Sequence, residues 1–352
     1  MKTIYQTKTP EKTIELGIQL AARLKPGATV LLFGDLGSGK TQFTKGIAKG
    51  LGISELIKSP TFTYVNKYDL QTGPQTGPHF YHYDLYRLKH GEDYESIGLE
   101  ETMHDDRSIN VIEWADRMAG RHPATYIRVD FHSLADHHKI IFQFEDSEIV
   151  PDELVDKFWR DWVTPLHVRA HSKKVTDVCL QIGQALADKN ILVNLSLLNT
   201  AGLLHDMARV CDFTELNRDK FHEEVTDDKW TKWLDLQKQF KGMNHADVAC
   251  GALADDGYNK TAELVRLHNS LSILEEPEKF AYLEVAILFY ADKRVKHDEI
   301  VSLAERFRDG RERHGKFDNL KTQTMFEEVE KRTFELEKQL FALISIKPED
   351  IS

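Results

Sequence analysis

One stretch constrains the fold of this chain more than any other: the octapeptide G-D-L-G-S-G-K-T at residues 34–41. It follows an apolar run at 29–33 that predicts a buried strand, and it leads into a segment at 42–48 with helical spacing. Glycines allow the backbone to curl so that successive amide N–H groups point inward, and the start of a helix adds partial positive charge. The pattern therefore predicts a phosphate-binding P-loop, whereas the alternative is a glycine-rich turn that binds nothing.

Two side chains of the predicted P-loop carry its chemistry. Lys40 can reach the β- and γ-phosphates of a bound nucleotide, and the hydroxyl of Thr41 can bind Mg²⁺. The loop backbone is expected to hold the remaining phosphate oxygens of ATP or ADP. The residues predicted to bind this nucleotide are Asp35, Leu36, Gly37, Ser38, Gly39, Lys40, Thr41 and Gln42.

Two carboxylates stand at the ends of predicted strands. Asp84 lies in the strand predicted over 79–88, and Glu113 comes at the end of the strand predicted over 108–114. In an α/β sheet the ligand lies beyond the carboxyl ends of the strands, and a phosphate-bound Mg²⁺ requires a carboxylate there. Each could instead be a solvated residue at a strand exit, and spacing alone does not separate these alternatives.

Four motifs occur in order along the first 145 residues: G-D-L-G-S-G-K-T, then S-P-T-F-T at 59–63, H-Y-D-L-Y-R-L at 82–88 and I-E-W at 112–114. In order and spacing these motifs resemble those of the TsaE (YjeE) family, the ATPase subunit of bacterial tRNA threonylcarbamoyladenosine synthesis. The resemblance implies an ATPase that acts with the partner proteins TsaB and TsaD in carbamoyl transfer onto an adenosine beside the anticodon. The repeat Q-T-G-P-Q-T-G-P at 71–78 departs from the family and predicts an exposed hairpin tip.

The same resemblance implies roles for individual residues. Lys40 and Thr41 would bind phosphate and Mg²⁺. Glu113 would be a carboxylate of the metal site, and Asp84 a catalytic or metal-linked one. Trp114 would lie beside the nucleotide. The resemblance does not separate the role of Asp84 from that of Glu113.

Composition excludes several classes of protein. Of the 352 residues 41% are hydrophobic and 29% are charged, as in ordinary soluble domains, and the apolar runs are far shorter than a membrane span. The N-terminus lacks the apolar segment of a signal peptide, and three cysteines without a C-x-x-C motif suit a reducing compartment, so we expect a cytoplasmic enzyme. The net charge of −11 argues against a broad basic face, so contact with tRNA is expected only through partner proteins.

The character of the sequence changes near residue 147. An acidic segment at 145–151 predicts a linker, and after it the strand signals disappear. Helical spacing then recurs at 152–163, 166–187, 192–210, 247–254, 261–268, 280–295 and 324–343. The expected architecture is an α/β P-loop NTPase-like domain at 1–147, with a mixed sheet flanked by helices, followed by an all-α domain at 148–352.

Histidines and aspartates recur within the apolar helices of the second half. His205-Asp206 interrupts the apolar run 198–207, and Asp292 follows the apolar run 285–291. Burying an unpaired Asp costs on the order of several kcal/mol, a cost that a coordinated cation removes. A single histidine in a helix is more often an ordinary hydrogen-bonded residue, but the His-Asp pair together with Asp292 reverses that expectation. Imidazole and carboxylate ligands suit one or two ions of Mn²⁺, Fe, Ni²⁺, Co²⁺ or Zn²⁺ better than Ca²⁺.

These residues resemble the H…HD…D pattern of the HD superfamily of metal-dependent phosphohydrolases. The matching positions are His171, His205, Asp206 and Asp292, and the added His245 and His268 resemble members that hold two metals. The resemblance implies hydrolysis of a phosphoester or phosphoanhydride of a nucleotide by a metal-acidified water, with Asp206 bridging if two ions are present. Arg209, predicted one helical turn after His205, would steady the charge on the phosphate. His167, on the same helix face as His171, is a rival ligand, but we expect it to support the ligands or to lie at the surface.

Two other interpretations stay open. A scaffold or regulatory protein could use ATP as a switch and sense a nucleotide without turnover, although the complete ligand sets in both halves disfavour it. A nucleotide or polynucleotide kinase paired with a phosphatase would also combine a P-loop with a hydrolase, but an arginine-rich lid is not evident in the sequence.

Overall fold

The computed structural model describes residues 1–70, 78–88, 95–221, 223–314 and 320–352. The chain divides into two compact units, one of residues 1–147 with 187–192 and the other of residues 148–186 with 193–352. The hairpin tip predicted at 71–78 lies outside the described residues except for Pro78. None of the described helices combines the length and the apolar character that crossing a lipid bilayer requires.

The first unit contains a mixed sheet of seven strands with helices, which confirms the predicted fold class. Its strands are β1 (Thr3–Thr7), β2 (Thr29–Gly34), β3 (Val65–Asp69), β4 (His79–Asp84), β5 (Ser108–Glu113), β6 (Tyr126–Ser133) and β7 (His138–Glu145). Its helices are α1 (Pro10–Ala21), α2 (Lys40–Gly50) and α3 (Leu99–His104). The strand order is β1-β7-β6-β2-β5-β4-β3. The strands at its centre are parallel, and the pairs toward both edges are antiparallel.

The parallel centre of the sheet positions the first candidate site. All six residues of β5 are buried, which is why its sequence lacks the alternation of a half-exposed strand. Because β2, β4 and β5 run parallel, their carboxyl ends meet at one edge of the sheet. At that edge Asp84 pairs in register with Glu113, and the P-loop leaves the end of β2. Two carboxylates and the P-loop are thus brought together by strand pairing.

Helices α1 and α2 approach each other through a pair of glycines. A Cβ at Gly46 would overlap the carbonyl oxygen of Ile14, and a Cβ at Gly17 would overlap that of Phe43. Helix α1 starts as its sequence predicts, with the Thr9 hydroxyl accepting a hydrogen bond of 3.4 Å from the backbone N–H of Lys12.

The second unit is helical in its described residues apart from the short strands β8 (Val295–Lys296) and β9 (Glu299–Ile300). Its helices are α4 (Val155–Asp161), α5 (Leu166–Ala187), α6 (Leu195–Leu204), α7 (Asp227–Gln239), α8 (His245–Asp255), α9 (Asn259–Arg266), α10 (Ser272–Glu275), α11 (Leu283–Lys293), α12 (Leu303–His314) and α13 (Leu320–Ala342). The prediction of a helix over 192–210 is wrong at its C-terminal end. Helix α6 ends at Leu204, and a 3-10 turn follows at Arg209–Asp212. Helices α7 and α12 were not predicted, since charged residues dominate their sequences.

Candidate active sites

The predicted nucleotide-binding residues 35–42 form one loop that joins β2 to the first turn of α2. Gly37 and Gly39 have φ angles of 78° and 102°, which side chains with a Cβ rarely adopt. The ammonium of Lys40 lies inside this loop and donates hydrogen bonds to the carbonyl oxygens of Gly34 at 2.6 Å and Asp35 at 2.8 Å. Burial lowers the pKa of Lys40, and the charges of Glu113 and Asp84 partly offset that effect.

Glu113 lies at the end of β5 and faces the start of α2. The Thr41 hydroxyl donates to Oε2 of Glu113 at 2.9 Å, and the Thr44 hydroxyl lies 3.4 Å from Oε1. The carboxylate is 2% exposed. A hydroxyl and a carboxylate at this distance are the protein ligands that Mg²⁺ takes beside a phosphate, so the residues fit that cation.

His82 is a site residue that the sequence interpretation missed. Its Nε2 donates a hydrogen bond of 2.8 Å to Oε1 of Glu113, and the ring is fully buried. The available signal was its place in β4 two residues before Asp84, on the same strand face. His82 thus holds the carboxylate in the orientation that faces Thr41.

Asp84 belongs to a different set of contacts from Glu113. The hydroxyls of Ser59 and Thr61 donate to its Oδ2 at 2.5 Å and 2.7 Å, and the backbone N–H of Tyr86 donates to Oδ1 at 3.0 Å. The carboxylate is therefore tied to the loop that carries the S-P-T-F-T motif.

Trp114 lies beside the P-loop. Its backbone adopts the left-handed conformation, with φ 60°, directly after β5. The indole ring centre is 4.0 Å from Nζ of Lys40, a cation–π contact, and 4.9 Å from the ring centre of Tyr86. The tryptophan therefore covers the ammonium that the P-loop offers to phosphate.

The second unit brings four of its histidines together, each with its Nδ1 held by an acceptor. These pairs are His171 with the carbonyl of His297 at 2.7 Å, His205 with that of Gly202 at 2.7 Å, His268 with that of Val265 at 2.5 Å, and His245 with Oδ2 of Asp212 at 2.6 Å. An acceptor at Nδ1 fixes the proton on that nitrogen. In its neutral form, each ring therefore has its Nε2 available as a metal ligand.

The Nε2 atoms and two carboxylates form two groups that share Asp206. In the first, Oδ1 of Asp292 lies 3.1 Å from His171 and 3.7 Å from His205, and Oδ2 of Asp206 lies 3.8 Å from His205. In the second, Oδ1 of Asp206 lies 2.9 Å from His245. His268 completes the second group, 3.5 Å from the same oxygen. One carboxylate thus turns an oxygen toward each set of imidazoles.

The donor set fits divalent cations. Nε2 of His205 is fully buried and has no hydrogen-bond partner among the described residues. The Nε2 atoms of His245 and His268 lie 3.1 Å apart, close enough for both to bind one cation. Burial lowers the pKa of His268 to about 4, which keeps its imidazole neutral at pH 7. Neutral imidazole with carboxylate suits a transition metal.

Arg209 occupies a different position from the one predicted. Because α6 ends at Leu204, Arg209 lies at the start of the 3-10 turn and not one α-helical turn beyond His205. Its guanidinium lies 3.1 Å from Oδ1 of Asp212 and 2.8 Å from Nδ1 of His245. Asp212, which the sequence interpretation missed, thus joins the arginine to a histidine of the second group.

A cavity of about 630 Å³ opens at the histidine cluster. His171, Asp206, His245, His268 and Asp292 line it together with Arg209 and Lys293. The rival ligand His167 lies elsewhere, with its ring 5.5 Å from that of Phe221 and 6.2 Å from that of Phe213. Five of the six metal-binding residues predicted in this half therefore line one cavity, His205 is fully buried, and His167 packs among aromatic rings.

Comparisons with known proteins cover both halves of the chain. The family model described as "Threonylcarbamoyl adenosine biosynthesis protein TsaE" matches residues 7–141, and the model described as "HD domain" matches residues 168–307. The tRNA threonylcarbamoyladenosine biosynthesis protein TsaE of Bacillus subtilis is 38% identical over 125 residues, 36% of this chain and 74% of that protein. The protein of the same name from Treponema pallidum is 38% identical over 135 residues, 38% of this chain and 95% of that protein.

A solved structure was also matched, the crystal structure of YdiB from Bacillus subtilis. It is 31% identical to this chain, with coverage of 40% of this chain and 84% of YdiB and a TM-score of 0.33. The relatives and the two family models agree with the motifs found in each half. The chain therefore belongs to the TsaE family through residues 7–141 and carries an HD domain at residues 168–307.

Proposed function

We propose that this chain is an enzyme with two independent phosphate-handling sites. Residues 1–147 hydrolyse ATP in support of tRNA threonylcarbamoyladenosine formation, together with TsaB- and TsaD-type proteins in the cytoplasm. Residues 148–352 hydrolyse a phosphoester or phosphoanhydride, of a nucleotide in the first instance, with one or two divalent transition metals. The names of the TsaE relatives support the first role, and the HD match supports the second.

The contact between Thr41 and Glu113 carries the proposal for the first site. Thr41 and Glu113 would hold Mg²⁺, which would supply positive charge to the phosphate oxygens of ATP. The ammonium of Lys40 exchanges the loop carbonyls for β- and γ-phosphate oxygens when the nucleotide enters. His82 keeps Glu113 turned toward Thr41. Asp84, which is held by the hydroxyls of Ser59 and Thr61, orients the attacking water.

The position of Asp206 between two sets of imidazoles carries the proposal for the second site. His171, His205, Asp206 and Asp292 would hold one cation, and Asp206, His245 and His268 the other. Bound cations supply positive charge for the phosphate oxygens and lower the pKa of the water that attacks phosphorus. The Nδ1 acceptors keep the Nε2 atoms directed inward, and Arg209 offers its guanidinium to the phosphate from the cavity wall.

Two single substitutions separate the two activities. Lys40→Ala is expected to abolish ATP hydrolysis, with and without added TsaB and TsaD, and to leave Mn²⁺-dependent phosphate release unchanged. Asp206→Ala is expected to do the reverse on a panel of nucleotides. If wild-type turnover of ATP is not stimulated by TsaB and TsaD and the proteins do not associate, the tRNA role fails. If Asp206→Ala releases phosphate as fast as the wild type does, the second site is wrongly assigned.

A further inference from the structure

We propose that helices α12 and α13 form a base-binding subsite in the cavity of the histidine cluster, so that this site selects nucleoside phosphates. The inference rests on the proposed phosphohydrolase function and specifies the substrate it takes. The subsite is made by Arg306, Phe307 and Gly310 of α12 and by Met325, Phe326 and Val329 of α13.

The cavity is larger than the phosphate that the ligating residues would hold. Its volume of about 630 Å³ falls in the range of about 300–1,000 Å³ that is typical of pockets for whole organic ligands. The histidines and carboxylates occupy only part of its lining. The rest of the lining must therefore accommodate the group that is esterified to the phosphate.

Part of that remaining lining, contributed by α12 and α13, is apolar and aromatic. Met325, Phe326 and Val329 follow one another at helical spacing and present one face of α13 to the cavity. The rings of Phe326 and Phe307 meet edge to face, with centres 5.7 Å apart and an interplanar angle of 82°. Such a surface accepts a flat apolar group, because base–aromatic contacts are favourable for every base.

Gly310 keeps the space beside Phe326 open. A Cβ at this position would lie 3.3 Å from Cζ of the Phe326 ring, tighter than most contacts of real Cβ atoms. Gly310 does not have a positive φ angle, so its backbone conformation does not require glycine. A larger side chain would fill cavity space next to the ring.

Arg306 distinguishes a nucleobase from a purely apolar group. Its side chain lines the cavity and is 23% exposed, and its Nη1 lies 3.8 Å from Oδ2 of Asp309. The guanidinium can therefore donate to an acceptor of a ligand in the cavity. The ring nitrogens and carbonyls of a base supply an acceptor, whereas an alkyl phosphate supplies none beyond its phosphate.

The subsite is a feature of this chain's own C-terminal helices. The HD match ends at residue 307, so Gly310, Met325, Phe326 and Val329 lie beyond it. Ligation of the cations and choice of the organic group are therefore assigned to different parts of the second unit.

Binding to the full-length protein loaded with Mn²⁺ tests this inference. Titration calorimetry compares adenosine 5′-monophosphate with ribose 5-phosphate, which carries the same phosphoester without a base. We expect the wild type to bind the nucleotide about tenfold more tightly or better, in line with one base–aromatic contact. We expect Gly310→Leu and Phe326→Ala to remove about tenfold of nucleotide affinity and to leave ribose 5-phosphate binding within about twofold.

The matched control is Phe341→Ala. Phe341 also lies on α13, but its ring contacts Tyr290 at 5.7 Å and does not line the cavity. We expect it to change neither affinity. Arg306→Met should weaken binding of the nucleotide several-fold and leave binding of octyl phosphate unchanged. Thermal denaturation of each variant identifies any that fails to fold.

The possible outcomes separate this inference from the proposed function. Equal wild-type affinities for the two ribose compounds, or an equal loss of both in Gly310→Leu and Phe326→Ala, overturn the subsite. Octyl phosphate binding as tightly as the nucleotide also overturns it. If base-dependent binding holds while no nucleotide of the panel releases phosphate, the subsite stands and the hydrolase function fails. If phosphate is released from adenosine 5′-monophosphate and ribose 5-phosphate with equal kcat/KM, the hydrolase function stands and the subsite fails.

Discussion

The hydroxyl of Thr41 donates a hydrogen bond of 2.9 Å to Glu113, a residue 72 positions later in the chain. Thr41 lies in the first turn of α2, and Glu113 ends β5. Strand β2 feeds the P-loop and pairs in parallel with β5, so Leu32 lies in register with Glu113. The fold of the sheet therefore brings the two proposed magnesium ligands together before any cation is bound.

Glu113→Gln should uncouple nucleotide binding from hydrolysis. An amide is a weaker ligand for Mg²⁺ than a carboxylate, so we expect ATP turnover to fall by about a hundredfold or more. Binding of ADP in EDTA should persist, because Lys40 and the loop remain. Phosphate release and binding of a fluorescent ADP measure the two effects. Glu100→Gln serves as the control, because Glu100 is a half-buried residue of α3 that pairs with Arg121. An unchanged dependence of Glu113→Gln on Mg²⁺ would contradict the assignment.

His82→Ala should impair the same site without removing a ligand. Without the imidazole that bonds Oε1, Glu113 loses its fixed orientation, and we expect turnover to fall about tenfold or more with a higher requirement for Mg²⁺. Titration of ATPase activity with Mg²⁺ measures the shift. His82→Gln, which keeps a donor, should recover part of the loss. A uniform loss in both variants at saturating Mg²⁺ would indicate a purely structural role.

The histidine cluster should hold metal that chelation removes. Elemental analysis is expected to find one or two transition-metal ions per wild-type chain and a clear loss in Asp206→Ala and His205→Ala. When the free concentration of an ion is a thousand times its Kd, removing that ion costs about 4 kcal/mol of stability. EDTA should therefore lower Tm by several degrees. His167→Ala is the control, since that ring packs against Phe213. Metal-free wild type after purification without chelators would refute the site.

Asp212→Asn should weaken one cation selectively. Among the described residues, Asp212 contacts Arg209 and one predicted metal ligand, His245. Loss of such a carboxylate typically reduces metal affinity about 10- to 100-fold, and we expect this only for the cation bound by His245 and His268. Calorimetric titration with Mn²⁺ should change from two strong sites to one. Asp247→Asn, an exposed position in the same helix as His245, should leave both sites intact.

Gly46→Ala should destabilise the first unit. The added Cβ would overlap the carbonyl oxygen of Ile14 and force α1 and α2 apart, at a cost of about 1–3 kcal/mol. Gly251→Ala in α8 is the matched change, because nothing lies within 4 Å of its Cβ and its φ is ordinary. Helix propensity predicts a gain of about 0.5–1 kcal/mol there. Urea denaturation measures both, and a neutral Gly46→Ala would contradict the close approach of the helices.

Local sequence was sufficient to predict candidate site residues that belong to a short motif. The P-loop fixes its own geometry within eight residues, so Lys40 and Thr41 were predictable from spacing alone. The pair His205-Asp206 was conspicuous because a charged residue interrupts an apolar run. Periodicity, however, did not register the end of α6 at Leu204, since a 3-10 turn carries much the same apolar pattern as an α-helix.

The order of amino acids was enough to predict the P-loop and H…HD…D motifs, the fold class of each half and the residue types proposed as cation ligands. The folded chain was needed to show which residues orient those side chains, as His82 does for Glu113 and Asp212 for His245. It was also needed to show that α12 and α13 line the cavity. The physical reason is that these contacts join residues distant in the chain through strand pairing and helix packing, which leave no local periodic signal.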